Sequence, residues 1–89
     1  MDPGTTHSAF VILECPEGSP RLILEHGKVD NELMLAIVKD RDYDTLAIER
    51  IVSFGFAVGQ TTFDTCEWQG RFIQAASDRD KTVERLKRK

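Results

Sequence analysis

Two carboxylates in this 89-residue chain are spaced so that they could act together. Asp2 precedes a Pro3-Gly4 turn and the apolar run from Ala9 to Leu13, and Glu49 closes the run Leu46-Ala47-Ile48. Proline fixes φ for a tight turn and glycine accepts a positive φ, so Asp2 lies at the end of whatever precedes it. If a strand precedes Met1, a right-handed crossover brings the strand ending in Glu49 alongside it, in parallel. Neighbouring strands are about 4.8 Å apart, so both acids then face one crevice at the carboxyl ends of the sheet. Carboxylates that close repel unless they are protonated or bridged by a cation. Hard divalent ions such as Mg²⁺ favour these oxygens, and a pair of ions held by several carboxylates can activate water and stabilise a leaving oxygen in phosphodiester cleavage. On spacing alone a plainer reading stands beside this one, with Asp2 a terminal turn residue and Glu49 a solvent-facing strand end.

The elements that must position the two acids are legible in outline. "CPEGSP" turns the chain after the first apolar run, and Arg21 to Val29 reads as the returning strand of a hairpin. Asp30 or Asn31 can cap a helix through "NELMLAIVKDR", with Leu33 and Ile37 on one face and Met34 and Val38 on the next. "DTLAIER" is a strand, and "IVSFGFAVGQ" is a loop with apolar anchors at Phe54 and Phe56. Thr61 with Asp64 forms a capping-box pattern, predicting a long helix from about Thr62 to at least Ala76 whose Phe63, Cys66, Gly70 and Ile73 share a face. Gly70 costs about 1 kcal/mol against alanine, which is tolerable if it lets the helix lie close on the sheet. The result is one α/β domain over 1–89: a β-hairpin, then helix, strand and long helix around a mixed sheet, with a basic helical tail over 78–89.

Composition sets the outer bounds. At 40% hydrophobic and 30% charged the chain is of ordinary globular type, with a core of marginal size. Residues 1–77 carry 6 basic and 12 acidic side chains, whereas 78–89 carry 6 basic and 3 acidic, so an acidic body bears a basic tail. Cys15 and Cys66 have no C-x-x-C partner and no His at ligand spacing, which supports neither a zinc site nor a disulfide framework and favours a reducing, cytoplasmic setting. No apolar run approaches the roughly 20 residues of a membrane span.

"DPGTTHSAFVIL", "LAIERI" and "VGQTTFDTCEWQGRF" together resemble the first two motifs and the following helix of RuvC-like Holliday junction resolvases, phage and bacterial, within the ribonuclease H-like fold. In that family an Asp ends the first strand before a Pro-Gly turn and a Glu ends a later strand within A-I-E. The resemblance implies that Asp2 and Glu49 are catalytic ligands of Mg²⁺ or Mn²⁺, that branched DNA is the substrate of a crossover junction endodeoxyribonuclease (a hydrolase acting in DNA recombination), and that the working form is a homodimer. The family's first strand before the Asp and its later catalytic acids have no counterpart here, so the chain reads as an N-terminal fragment. Asp78 and Asp80 directly follow the helix and are not assigned as catalytic. With two of about four ligands, the isolated chain is expected to be inactive or nearly so.

Two other readings compete. In a non-catalytic remnant that binds nucleic acid, Arg71, Arg79, Lys81, Arg85, Lys87, Arg88 and Lys89 would contact phosphates, with affinity that falls steeply with salt. "DPGTT" is also similar to the phosphate-binding hairpin of actin-like and chaperone-type ATPases, which share the core fold. Trp68 stacks on a base or packs, Phe54 and Phe56 wedge into a junction or anchor their loop, and Arg50 meets a phosphate or a nearby acid. His7 meets a phosphate or is a plain surface residue, and His26 has no evident partner.

Overall fold

A computed structural model of the chain describes residues 1–50 and 59–87. Strands β1 (His7–Glu14) and β2 (Leu22–Asp30) form the expected antiparallel hairpin, with a register shift between Ile12 and Leu13. Helix α1 (Asn31–Asp40) follows without a linker, capped by the Asp30 carboxylate, which accepts the Leu33 N–H at 2.9 Å. Strand β3 (Thr45–Arg50) then leads to helix α2 (Gln60–Asp78) and strand β4 (Thr82–Lys87), which pairs with β3 in parallel.

The two strand pairs are joined by two residues. The Met1 amine donates to the Ala47 carbonyl at 2.7 Å, and the Glu49 N–H donates to the Met1 carbonyl at 3.0 Å. This is the slanted pattern of a parallel ladder, with Met1 opposite Ile48. On the other side Asp2 and Ala9 exchange an antiparallel pair of bonds at 2.9 and 3.0 Å. The sheet is therefore mixed, in the order β2, β1, Met1-Asp2, β3, β4.

Strand alternation decides which face the helices cover. Ser8 and Phe10 on β1 and Leu46 and Ile48 on β3 are buried, whereas Val11 and Leu13 point to the open face. Against the buried face lie Met34 and Val38 of α1 and Phe72, Ala75 and Ala76 of α2, forming one core. In α1 the face of Met34 and Val38 is the buried one, and Leu33 is exposed.

Helix α2 departs from the expected pattern in two ways. It begins at Gln60 behind Gly59, with no side-chain cap, so Thr61 lies inside the first turn and Asp64 accepts instead from the Gln60 amide at 2.7 Å. Its buried stripe is Thr65, Gln69, Phe72, Ala75 and Ala76, whereas Phe63, Cys66 and Gly70 face outward. Nothing lies within 4 Å of where a Gly70 side chain would begin, so this glycine makes no close approach to the sheet. Two of the five residues in the true stripe, Thr65 and Gln69, are polar, and a search by hydrophobic period passes over them.

Of the tail expected to be helical over 78–89, residues 82–87 form a strand. After α2 the Asp80 N–H donates to the Ser77 carbonyl and the Lys81 N–H to the Ala76 carbonyl, at 3.0 Å each, and Asp80 takes a left-handed φ of 58°. This is a Schellman ending with Asp where glycine is usual, and it turns the chain back toward β3. "TVERLK" contains good helix formers, but pairing along β3 and the packing of Val83 on the core override that local preference.

The far end of α1 is tied to this region. The Arg79 guanidinium donates to the Val38 and Arg41 carbonyls at 2.8 Å each, and the Tyr43 hydroxyl donates to the Val38 carbonyl at 2.7 Å. Burial pushes the Tyr43 phenol pKa up, and Arg79 opposes the shift. A raised folded-state value means that this contribution is complete below the ordinary phenol range and is lost as pH climbs through the raised value. Replacing Asp80 with Gly should raise stability by roughly 0.5–1 kcal/mol, because a left-handed backbone is strained for a residue with a Cβ. Urea unfolding of Asp80→Gly checks this, and an unchanged or lower midpoint contradicts it.

Candidate metal centre

The ladder that joins the sheet also builds the site. Met1 and Ile48 are paired and face the helices, Ile48 fully buried and Met1 packed against the core. One residue further along each strand, alternation sends Asp2 and Glu49 to the opposite face. They stand side by side at the carboxyl ends of adjacent parallel segments, as expected from the crossover argument. Their charges act on a common point: burial pushes the Met1 amine pKa down, and the Asp2 and Glu49 carboxylates oppose the shift.

The turn after Asp2 is held by side chains from both helices. Gly4 is needed for room rather than for a left-handed backbone, since a Cβ there would come within 2.1 Å of the His7 carbonyl oxygen. The Gly4 N–H donates to the Ser8 hydroxyl at 3.2 Å, and the Asn31 amide donates to the Gly4 carbonyl at 2.9 Å. On the α2 side, the Thr5 hydroxyl lies 2.9 Å from that of Thr65, and both reach the Thr61 carbonyl, at 3.0 and 2.9 Å. In the sequence Asn31 stands out only as a possible helix cap and Thr5 only as part of the phosphate-binding resemblance of "DPGTT", while Ser8 and Thr65 do not stand out. Strand alternation with Phe10 is the signal that turns Ser8 inward, and the hydrophobic period of α2 gives none for Thr65.

The donor set suits a hard cation. Two carboxylates on rigid neighbouring strands fit an ion such as Mg²⁺, which is commonly held by one or two carboxylates with water or phosphate oxygens completing its shell. Among the described residues no third His, Cys, Asp or Glu joins them in a cluster.

Among the described residues, the basic side chains named from the sequence lie on several elements. Arg71 lies on the exposed side of α2, its guanidinium 4.6 Å from the Trp68 ring centre. Arg79 is engaged at the end of α1, and it and Lys81 each lie 5.4 Å from the Tyr43 ring centre. Arg85 is exposed on β4, Lys87 ends that strand, and Arg88, Lys89, Phe54 and Phe56 lie outside the described residues. Trp68 is half-buried and stacks on Phe72 at 5.8 Å, which makes it a packing residue. His7 is exposed with its Nδ1 3.0 Å from the Thr6 hydroxyl, His26 is exposed on β2 opposite Val11, and Arg50 pairs with Lys87 through the backbone. Both cysteines are free and exposed, and no described helix is long and apolar enough to cross a membrane.

A short mixed sheet covered on one face by two helices, with acids at the carboxyl ends of its central strands, is a partial ribonuclease H-like fold. Among solved structures, the chain superposes on Thermus thermophilus RuvC in complex with a Holliday junction substrate with a TM-score of 0.74, at 14% identity, over 98% of this chain and 63% of that one. A second structure of Thermus thermophilus RuvC gives a TM-score of 0.65 at 16% identity, over 97% of this chain and 60% of the other. The fold is thus RuvC-like, and the chain spans less than two thirds of the length of these structures. No protein-family profile matches the sequence, and no curated protein matches it significantly.

Gly4→Ala should destabilise the chain by more than about 1 kcal/mol, because the new Cβ meets backbone rather than a side chain that could swing away. Thermal unfolding monitored by circular dichroism measures this, and a wild-type midpoint would contradict it.

Proposed function

We propose that this chain carries part of the active site of a metal-dependent endonuclease of branched DNA, of the crossover junction endodeoxyribonuclease class, with Asp2 and Glu49 as ligands of Mg²⁺ or Mn²⁺. The observation that carries this reading is the hydrogen bond from the Glu49 N–H to the Met1 carbonyl, which sets the two acids in register on adjacent strands. The structural likeness to RuvC bound to a Holliday junction substrate supports the choice of branched DNA.

A hard divalent ion at this point supplies Lewis-acid chemistry for phosphodiester hydrolysis. The chain's own part is to hold two negative charges on rigid strands and to keep Asp2 directed by the turn behind it. Two carboxylates alone hold an ion weakly, so the 89-residue chain by itself is inactive or nearly so. The ATPase reading loses ground on one contact. The Thr5 hydroxyl, which would meet a nucleotide phosphate there, is taken up by Thr61 and Thr65 of α2. Homodimer formation is part of the proposal, by likeness to the resolvases.

Titrating the purified chain with MnCl₂, with free Mn²⁺ followed by electron paramagnetic resonance, tests the site. Weak binding is expected, lost in Asp2→Asn and in Glu49→Gln, with little or no cleavage of a four-way DNA junction. Unchanged Mn²⁺ binding in both variants overturns the reading. Salt-sensitive junction binding without any Mn²⁺ binding favours the non-catalytic nucleic-acid-binding alternative. Mg²⁺-dependent cleavage abolished by Asp2→Asn would refute the expected inactivity while keeping the site.

A further inference from the structure

We propose that Ser8 and Asn31 are positioning residues for the Asp2 carboxylate, acting through the turn at 3–6. The inference rests on the reading of Asp2 as a metal ligand, and it concerns what aims that ligand.

The two side chains form a buried, mutually hydrogen-bonded polar pair in the layer between helices and sheet. Ser8 is 1% exposed and Asn31 2% exposed, yet neighbouring positions of that layer are Phe10, Met34 and Ile48. The Ser8 hydroxyl donates to Asn31 Oδ1 at 2.5 Å and accepts the Gly4 N–H at 3.2 Å. Asn31 Nδ2 donates to the Gly4 carbonyl at 2.9 Å, and the Asn31 backbone N–H donates to the Thr6 carbonyl at 2.9 Å. Both backbone polar groups of the residue two places after Asp2 are therefore held by these side chains.

An apolar residue at either position would leave the Gly4 N–H or the Gly4 carbonyl without this partner, so the pair contributes to stability and, because hydrogen bonds are directional, also holds the turn in one geometry. The direction is imposed on one short segment. Asp2 is fixed on one side by its paired bonds to Ala9, and the Gly4 bonds fix the chain on the other side. The Cα–Cβ vector of Asp2 is set between these two anchors. Asn31 is the first residue of α1, so the start of that helix also takes part in orienting a residue 29 positions earlier.

The test reads the Asp2 side chain directly, using the full 89-residue chain. Three-bond Hα–Hβ couplings of Asp2 should report one χ1 rotamer in the wild type and in Ser8→Thr, which keeps the hydroxyl. In Ser8→Ala they should average, while the amide spectrum elsewhere stays native. Mn²⁺ affinity should fall about tenfold or more in Ser8→Ala and recover in Ser8→Thr, the size expected when a group that orients a ligand is lost. Should Ser8→Ala fail to fold, Asn31→Asp serves instead. It removes the donor to Gly4 at nearly constant shape, and an acid in the first turn of a helix is electrostatically favoured. Wild-type couplings in the folded variant, or averaged couplings in the wild type itself, overturn the proposal. If the wild type binds no Mn²⁺, the metal reading fails, and the couplings still decide whether Ser8 and Asn31 aim Asp2.

Discussion

Everything in this chain depends on a ladder two residues long. Met1 and Asp2 hydrogen-bond to β3 on one side and to β1 on the other, and without those bonds the molecule is two separate strand pairs. An isolated two-stranded ribbon is at best marginally stable in water, and each would present an unpaired edge to solvent. Joined, they bring Phe10 of β1 and Ile48 of β3 under the same two helices, so a single core forms. Each backbone bond contributes only about 1 kcal/mol net, but these bonds also decide whether the apolar surfaces share one interior.

The helices return the favour at the turn. Asn31 at the start of α1 and Thr65 in α2 both reach the segment that follows Asp2. At the opposite end of α1, Arg79 from the close of α2 meets the Val38 and Arg41 carbonyls, where a cation also suits the negative end of the helix dipole. Helix α1 is thus tied to the turn at one end and to α2 at the other. The Thr5–Thr65 contact fastens α2 to the same turn, so the sheet joint and both helices form a closed mechanical loop.

What the sequence disclosed follows from which forces are local. The hairpin, α1, β3 and the opposition of Asp2 and Glu49 were legible, because turn residues, an Asp cap and a short apolar run speak for themselves, and crossover handedness supplies the rest. The inward face of α2 was not legible, since Thr65 and Gln69 are buried polar residues whose placement depends on partners elsewhere in the chain. Strand β4 was hidden for a related reason. Its residues prefer a helix on their own, and the edge of β3 that recruits them lies more than thirty positions away. The Ser8–Asn31 pair was invisible because hydrogen-bond complementarity between distant polar side chains leaves no period in a sequence.

The joint also links folding to chemistry through register. A strand's side chains alternate faces, so a slip of one residue in the pairing of Met1 with β3 would turn Met1 toward solvent and bring Asp2 against the helices. Burying an unpaired carboxylate among Met34, Phe72 and Ile48 costs far more than any gain from the slip. The full burial of Ile48 therefore directs Glu49 outward, and the core contact of Met1 does the same for Asp2. No separate device is needed to place the two acids side by side, because the apolar pattern that closes the core already excludes the register in which they would part. The buried hydrogen bonds around Gly4 act further along the chain, where they hold the turn that follows Asp2.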